Sequence, residues 1–491
     1  MKMKTPRLPL VAALALLLGG CMVGPDYRRP PVPVAATYKE LPGWTQAEPA
    51  ASAPKGDWWT AFNDPLIDQL EPLVSVSNQT VRQDYANYQQ ALAEVREARS
   101  QLFPTIGVTG SATRARSATG SASTNLPPIN SGTLEGTASW TLDLWGQVRR
   151  TIEQNAATAQ VDEATLANAT LSEQISLASD IIQLRISDAN IDLLQKTVEA
   201  YQQYLRVVAD QDHAGTVPPS NLITAREQLE SAQASLISLG VARAQYAHAI
   251  AVLVGKNPED LDIPHSTALP TLPTIPVGVP STLLERRPDI AAAERAMAAQ
   301  NAAIGVAVAA YYPTISLSAL DGFSQAPLSG LLHAANRVWS LGANATGTLF
   351  DGGERHAEVD AAKAAYDAAV ASYRGTVLNA FANVENDLSG LRILAQQADA
   401  LDSAVRDATE GSKIAFNEYQ AGTVDYTTVA TALATQLSDQ QTALNVQEQR
   451  LLDAASLFGD LGGGWSAGQL CDPRHAQCAG TPKQASEQAA K

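Results

Sequence analysis

The sequence predicts an α+β membrane protein built as an internal tandem repeat, whose few strands can close a barrel only if several chains share it. Three observations predict this. Two pairs of short segments alternate strictly between apolar and small polar residues, and two proline-free helical stretches are exceptionally long. Four short motifs also recur in the same order at an offset of about 207 residues.

The amino terminus comes first. Lys2, Lys4 and Arg7 precede an apolar core from about Leu8 to Leu18, followed by Gly19-Gly20, the pattern of a bacterial export signal over residues 1–20. That core is about half the roughly 20 residues of a spanning helix, so it reads as a signal and not as a membrane anchor. Leu18-Gly19-Gly20-Cys21 is similar to a lipobox: cleavage is expected between Gly20 and Cys21, with palmitate and other acyl chains on the new terminus. Met22 follows, not the aspartate that in similar lipoproteins favours the inner membrane, so the outer membrane is the expected destination.

Residues 21–63 read as a lipidated, extended segment, proline-rich from Pro25 to about Pro54 and closing on Trp58-Trp59. Asp64-Pro65 is a helix start, a cap residue with proline at the first helical position. Residues 64–257 form the first copy of the plan, 258–280 a linker, 281–465 the second copy and 466–491 a tail. SQLFPTIGVTGSA (100–112) answers AAYYPTISLSAL (309–320), and TLDLWGQVRR (141–150) answers TLFDGGERHA (348–357). HAGTV (213–217) answers QAGTV (420–424), and LVG (253–255) loosely answers DLG (460–462).

In each copy two strands are expected. Ile106, Val108, Gly110 and Ala112 alternate with Thr105, Gly107, Thr109, Ser111 and Thr113, and Leu134 to Trp145 alternates similarly. The second copy sets Ile315, Leu317 and Ala319 against Thr314, Ser316 and Ser318, and Leu341, Ala343, Ala345 and Leu349 against Asn344, Thr346 and Thr348. One face suits water and the other lipid. A soluble sheet on a helical layer would alternate likewise; the anchor and signal favour a barrel. Four strands fall below the about eight that close a transmembrane barrel, so an obligate oligomer is expected.

Helices of about 100 Å are expected over Gly146–Asp212 and Gly353–Gln420, at 1.5 Å per residue. Their apolar stripes run through Leu171, Ile175, Ala178, Ile182, Ile186, Ala189 and Leu193, and through Val370, Tyr373, Val377, Ala380, Val384, Leu388 and Leu391. Gly215 and Gly422 stand where a helix would end in a left-handed cap, and a second helical stretch follows each.

The formal charge of −16 argues against nucleic acid as a partner. Neither His-Glu-x-x-His, Gly-x-Ser-x-Gly nor a phosphate loop occurs, the six histidines are scattered, and no enzyme, metal site or cofactor beyond the Cys21 lipid is expected. Cys471 and Cys478 either close a small loop or stand as two thiols.

The lipobox, CMVGPDYRRP (21–30), Trp58-Trp59, LLERRPDIAAAERAMAAQNAAIGVAVAAYYPTISL (283–317), the two Gly-Thr-Val tips and LGGGW (461–465) together resemble the outer membrane efflux protein family of TolC-like channels. The match is closest to the NodT-type lipoproteins of resistance-nodulation-division (RND) systems. The resemblance implies a homotrimer with a twelve-stranded barrel, four strands from each subunit, continuing into a periplasmic helical barrel. It also implies passive conduction of drugs or other small molecules, with a periplasmic adaptor and an inner-membrane RND transporter as partners. Alternatives are a duct for secreted protein or metal ions, or a coiled-coil scaffold lipoprotein without a channel. The adaptor is expected at Gly215, Thr216 and Val217 and at Gly422, Thr423 and Val424.

Convergence of helices at one end, together with the resemblance, places the constriction near Asp425, Tyr426, Thr427, Thr431 and Ala434. Related channels often carry bridging charges there; Thr431 and Ala434 occupy the corresponding positions, which argues against a salt-bridge lock. Asp425 reads either as a helix cap or as a ring of carboxylates at a gate. The acidic balance suits either a cation-favouring lumen or an ordinary solvated surface.

Overall fold

A computed structural model of the chain describes residues 22–32, 37–40, 57–116, 128–274, 283–475 and 478. Cys21, Gly20 and the signal lie outside the described residues, as does the end of the linker.

Helix α1 (Pro65–Ser77) starts as expected, with the Asp64 carboxylate accepting from the N–H groups of Leu66 and Ile67. Asn78 caps α2 (Gln79–Ser100) in the same manner through Thr80 and Val81. Strands β1 (Thr105–Ala115) and β2 (Ile129–Leu142) follow, then the long α3 (Gln147–His213) and α4 (Pro219–Leu253). The second half runs through α5 (Pro288–Ala309), β3 (Thr314–Gln325), β4 (Arg337–Thr346), α6 (Glu354–Gln420) and α7 (Tyr426–Asp460). Helices α3 and α6 each have 67 residues, α4 and α7 each 35, and α2 and α5 each 22. The two halves therefore share a helix, two strands, a long helix and a shorter helix, with matching lengths for these helices, while the 13-residue α1 has only the four-residue Leu283–Arg286 helix before α5 as its counterpart.

The four strands form one antiparallel sheet in chain order, with Thr105 opposite Ser139, Leu142 opposite Ile315 and Thr314 opposite Thr346. The strands extend further than expected away from the helices, β1 to Ala115, β2 from Ile129, β3 to Gln325 and β4 from Arg337, and two of them end early on the helix side. β2 stops at Leu142, because the Asp143 carboxylate accepts from the N–H groups of Val148 and Arg149 and so caps the start of α3. β4 stops at Thr346, leaving Thr348 and Leu349 outside the ladder. Its partner Thr314 is preceded by Pro313, which has no N–H with which to extend the pairing.

The long helices bury the expected stripes most deeply at mid-length: Ala178, Ile182, Tyr373, Val377, Val384 and Leu388 are each fully enclosed. Leu171, Ile175, Ala189 and Leu193, towards the ends of the first stripe, are only half-buried. Trp58, Phe62 and Phe458 cluster at the same level, with ring centroids 5.5 to 6.2 Å apart. Glu71 is wholly buried with no partner for either oxygen, and burial pushes its carboxyl up to about 9, so it is protonated at neutral pH.

Candidate functional site

Three regions stand out: the sheet, the paired tips at the far ends of α3 and α6, and the waist that holds the two halves together.

On the sheet, β1 and β4 are edge strands with unpaired backbone. Ile106, Val108, Trp339 and Leu341 project from them at 70 to 79% exposure, far beyond what an isolated soluble sheet tolerates. Trp145 stacks on Tyr312 at 4.8 Å where the strands meet the helices, an amphipathic pair suited to a membrane interface.

The two tips are built alike. Gly215 and Gly422 take φ of +68° and +75°, the left-handed cap that their sequence positions suggest. Thr216 and Thr423 then fold back identically, each backbone N–H and hydroxyl donating to a carbonyl five residues earlier, Gln211 or Glu418. Gly215, Thr216, Gly422 and Thr423 are exposed, while Val217 and Val424 are half-buried. One apolar cluster, including Tyr201, Ala225, Tyr419, Tyr426 and Val429, joins the two hairpins behind the tips, so both tips lie at the same end.

That cluster changes one expectation. Tyr426 is 1% exposed; its ring lies 5.5 Å from that of Tyr419 and its hydroxyl donates to Gln228 of the other hairpin. It is a brace between hairpins and not part of an open surface, because Tyr419 of its own hairpin and Gln228 of the other enclose it. Asp425, Thr427, Thr431 and Ala434 are all exposed. Asp425 stands at the N-cap position, yet its carboxylate makes no capping bond. The Thr431 hydroxyl is tied back to the Thr427 carbonyl.

At the waist the Leu-Glu-Arg-Arg-Pro-Asp run meets the closing Leu-Gly-Gly-Gly-Trp. Arg287, from the Leu-Glu-Arg-Arg-Pro-Asp run, donates to the carbonyl and carboxylate of Asp460 and to the Asp289 carboxylate. A Cβ on Gly462, in the closing Leu-Gly-Gly-Gly-Trp, would collide with the Arg286 carbonyl oxygen, so glycine is needed for the chain to pass. Burial, with Asp460 close by, pushes the carboxyl of Asp387 up to about 8. Two carboxylates whose pairing sequence reasoning missed join distant segments here: Asp64 with Arg185 at 3.0 Å, and the buried Asp188 with Arg243 at 2.6 Å and with His265 Nδ1 2.9 Å away. Their partners are dozens of residues apart and no local pattern marks them. Cys471 and Cys478 are disulfide-bonded, and this loop packs on α2 and α3 through Tyr88, Gln160 and Glu163. Among the described residues no group of three or more His, Cys, Asp or Glu side chains is placed to hold a metal ion.

A model of the outer membrane efflux protein family matches residues 72–256 and, a second time, 279–463. The toluene efflux pump outer membrane protein TtgC of Pseudomonas putida is 30% identical over 467 residues, 94% of this chain and 96% of that one. Outer membrane protein OprJ of Pseudomonas aeruginosa is 29% identical over 480 residues, 95% of this chain and 98% of its own length. Among solved structures the outer-membrane channel OprN superposes with a TM-score of 0.84 at 29% identity, covering 91% of this chain and all of that one. The chain belongs to the outer membrane efflux protein family. It is the outer membrane component of an efflux system.

Proposed function

We propose that three copies of this chain form the passive exit duct of an RND-type efflux system, receiving drugs or other small molecules from an adaptor and pump and releasing them outside the cell. The observation that carries this reading is the four-stranded sheet with two open, apolar edges mounted on 67-residue helices. Such a sheet cannot enclose water on its own. Helix α4 supports the same assembly, since Ile223, Ile237 and Val241 stand 61 to 77% exposed along its outer face and await a neighbour. The matched elements of the two halves support a tandem duplication, which would give a trimer six similar hairpins. A scaffold without a channel leaves the sheet without a purpose. Trimer-sized, heat-modifiable migration of the detergent-extracted protein, with pore conductance in planar bilayers, tests the reading; a monomer without conductance would overturn it.

Cys21 is read as the acylated residue. Cys21→Ser is expected to abolish labelling by a palmitate analogue and to weaken outer-membrane retention; equal label in both proteins would remove the claim.

Asp425 is read as a ring of three carboxylates at the periplasmic constriction, with Thr427, Thr431 and Ala434 as its uncharged wall. The absence of a capping bond to its side chain favours this over a role confined to the cap. Asp425→Ala and Asp425→Asn are both expected to raise single-channel conductance and reduce cation preference. Unaltered conductance and selectivity in both variants would put the constriction elsewhere.

A further inference from the structure

The first described residues after the lipidation motif are not a loose leader. The Val23 N–H donates to the Trp145 carbonyl at 3.1 Å. Arg150 of α3, 1% exposed, donates through Nε to the Val23 carbonyl at 3.1 Å and through Nη2 to the Gly24 carbonyl at 3.2 Å and Asp26 Oδ1 at 2.9 Å; Glu153 holds its other end at 2.7 Å. A buried guanidinium with its donors directed at successive groups of one short segment is a built receptor for that segment.

Three glycines make the fit possible. A Cβ on Gly146 would lie 2.5 Å from the Met22 side chain, one on Gly305 would lie 2.8 Å from the Arg150 side chain, and one on Gly24 would lie 2.5 Å from the Gly305 Cα. Gly24 also adopts φ of +91°. The seat sits at the junction of sheet and helices, beside the Trp145–Tyr312 stack that suits the membrane interface.

We propose that Arg150, with Gly146 and Gly305, forms a seat for the mature amino terminus that fixes the acylated Cys21 against the rim of the barrel, so that Arg150 acts as a positioning residue for the lipid anchor. This rests on the lipidated-channel reading above. Cys21, outside the described residues, is one peptide bond from Met22, which limits its reach to about 4 Å between Cα atoms. A flexible tether would let the acyl chains explore the bilayer; a seated one holds them beside the strand ends. The anchor then sets the height of the barrel in the membrane as well as retaining it there.

The test is to grow cells with a palmitate analogue carrying a photoreactive diazirine, irradiate outer membranes containing the full chain, and map the cross-linked peptides. Wild-type protein is expected to give cross-links concentrated on peptides that include Trp145 and Tyr312. Arg150→Met should lower those cross-links at least about fivefold at equal palmitate per chain. Gly24→Val leaves Arg150 and its pairing with Glu153 in place and unseats the segment from its own side, through a disfavoured φ and a clash with Gly305, and should do the same in trimers of wild-type yield. That second variant separates seating from any loss of stability caused by emptying the Arg150 site. An unchanged cross-link map in Gly24→Val, or wild-type cross-links to bulk lipid alone, would overturn the seat while leaving the lipidated channel intact. A chain carrying no palmitate would remove the lipid reading and the seat together.

Discussion

Valine in place of Gly422 is expected to bring drug tolerance down to that of a strain lacking the protein, while trimers still assemble and conduct. The effect is conformational. Gly422 holds φ of +75°, and nothing lies within 4 Å of where its Cβ would be, so no clash enters. A left-handed backbone costs a residue with a Cβ roughly 1–2 kcal/mol and a β-branched one more, enough to unwind a cap held by the two bonds to the Glu418 carbonyl. Gly422→Ala should be milder, and Gly215→Val should match Gly422→Val because the two tips share one geometry. The check is drug susceptibility set beside trimer yield and bilayer conductance. Full tolerance in both valine variants would remove the tips as the adaptor's docking site.

Asp64→Ala is expected to be the most destabilising single change in the waist. Asp64 and Arg185 are 4% and 8% exposed at the side chain, so losing one partner leaves a charge uncompensated away from water, at a cost of about 3–5 kcal/mol. Arg185 is especially vulnerable because its Nη1 is buried without a partner. The same carboxylate caps α1, which adds about 1 kcal/mol. Asp64→Asn keeps the cap and loses the charge, so it should fall between Asp64→Ala and wild type. Guanidinium unfolding midpoints of the detergent-solubilised protein would read this order. Equal midpoints for Asp64→Asn and wild type would show that the pair contributes little.

Features that depend on neighbours along the chain are legible in the sequence itself. Strict alternation locates the strands, the absence of proline across 67 residues locates the long helices, and Gly-Thr-Val marks the caps at Gly215 and Gly422. Features set by packing between distant segments are not legible there. Tyr426 adjoins an exposed aspartate and nothing local shows that its ring turns inward, since Gln228 and Tyr419 decide that. Arg150 looks like one of several arginines until the chain brings Val23 and Gly24 to it across more than a hundred residues. The strand ends at Leu142 and Thr346 escape the alternation pattern for the same reason, because a cap on α3 and a proline on the facing strand set them.

The amino-terminal segment also fixes a sequence of events in time. After Arg150 it meets Glu294 through Tyr27, Tyr373 through Arg29, Glu385 through the backbone of Lys39 and Glu40, and Arg392 through Glu40. These partners lie 267 to 352 residues further along the chain. Exported from its amino end, the protein delivers this segment to the periplasm first and its last partner only after most of the chain has crossed. Contacts so distant in sequence form late and slowly. Until Arg392 emerges, the contacts from Tyr27 to Glu40 stay incomplete, and the apolar strands wait alongside them. The interval between the first residue's export and that moment is when the chain most needs protection from aggregation and proteolysis.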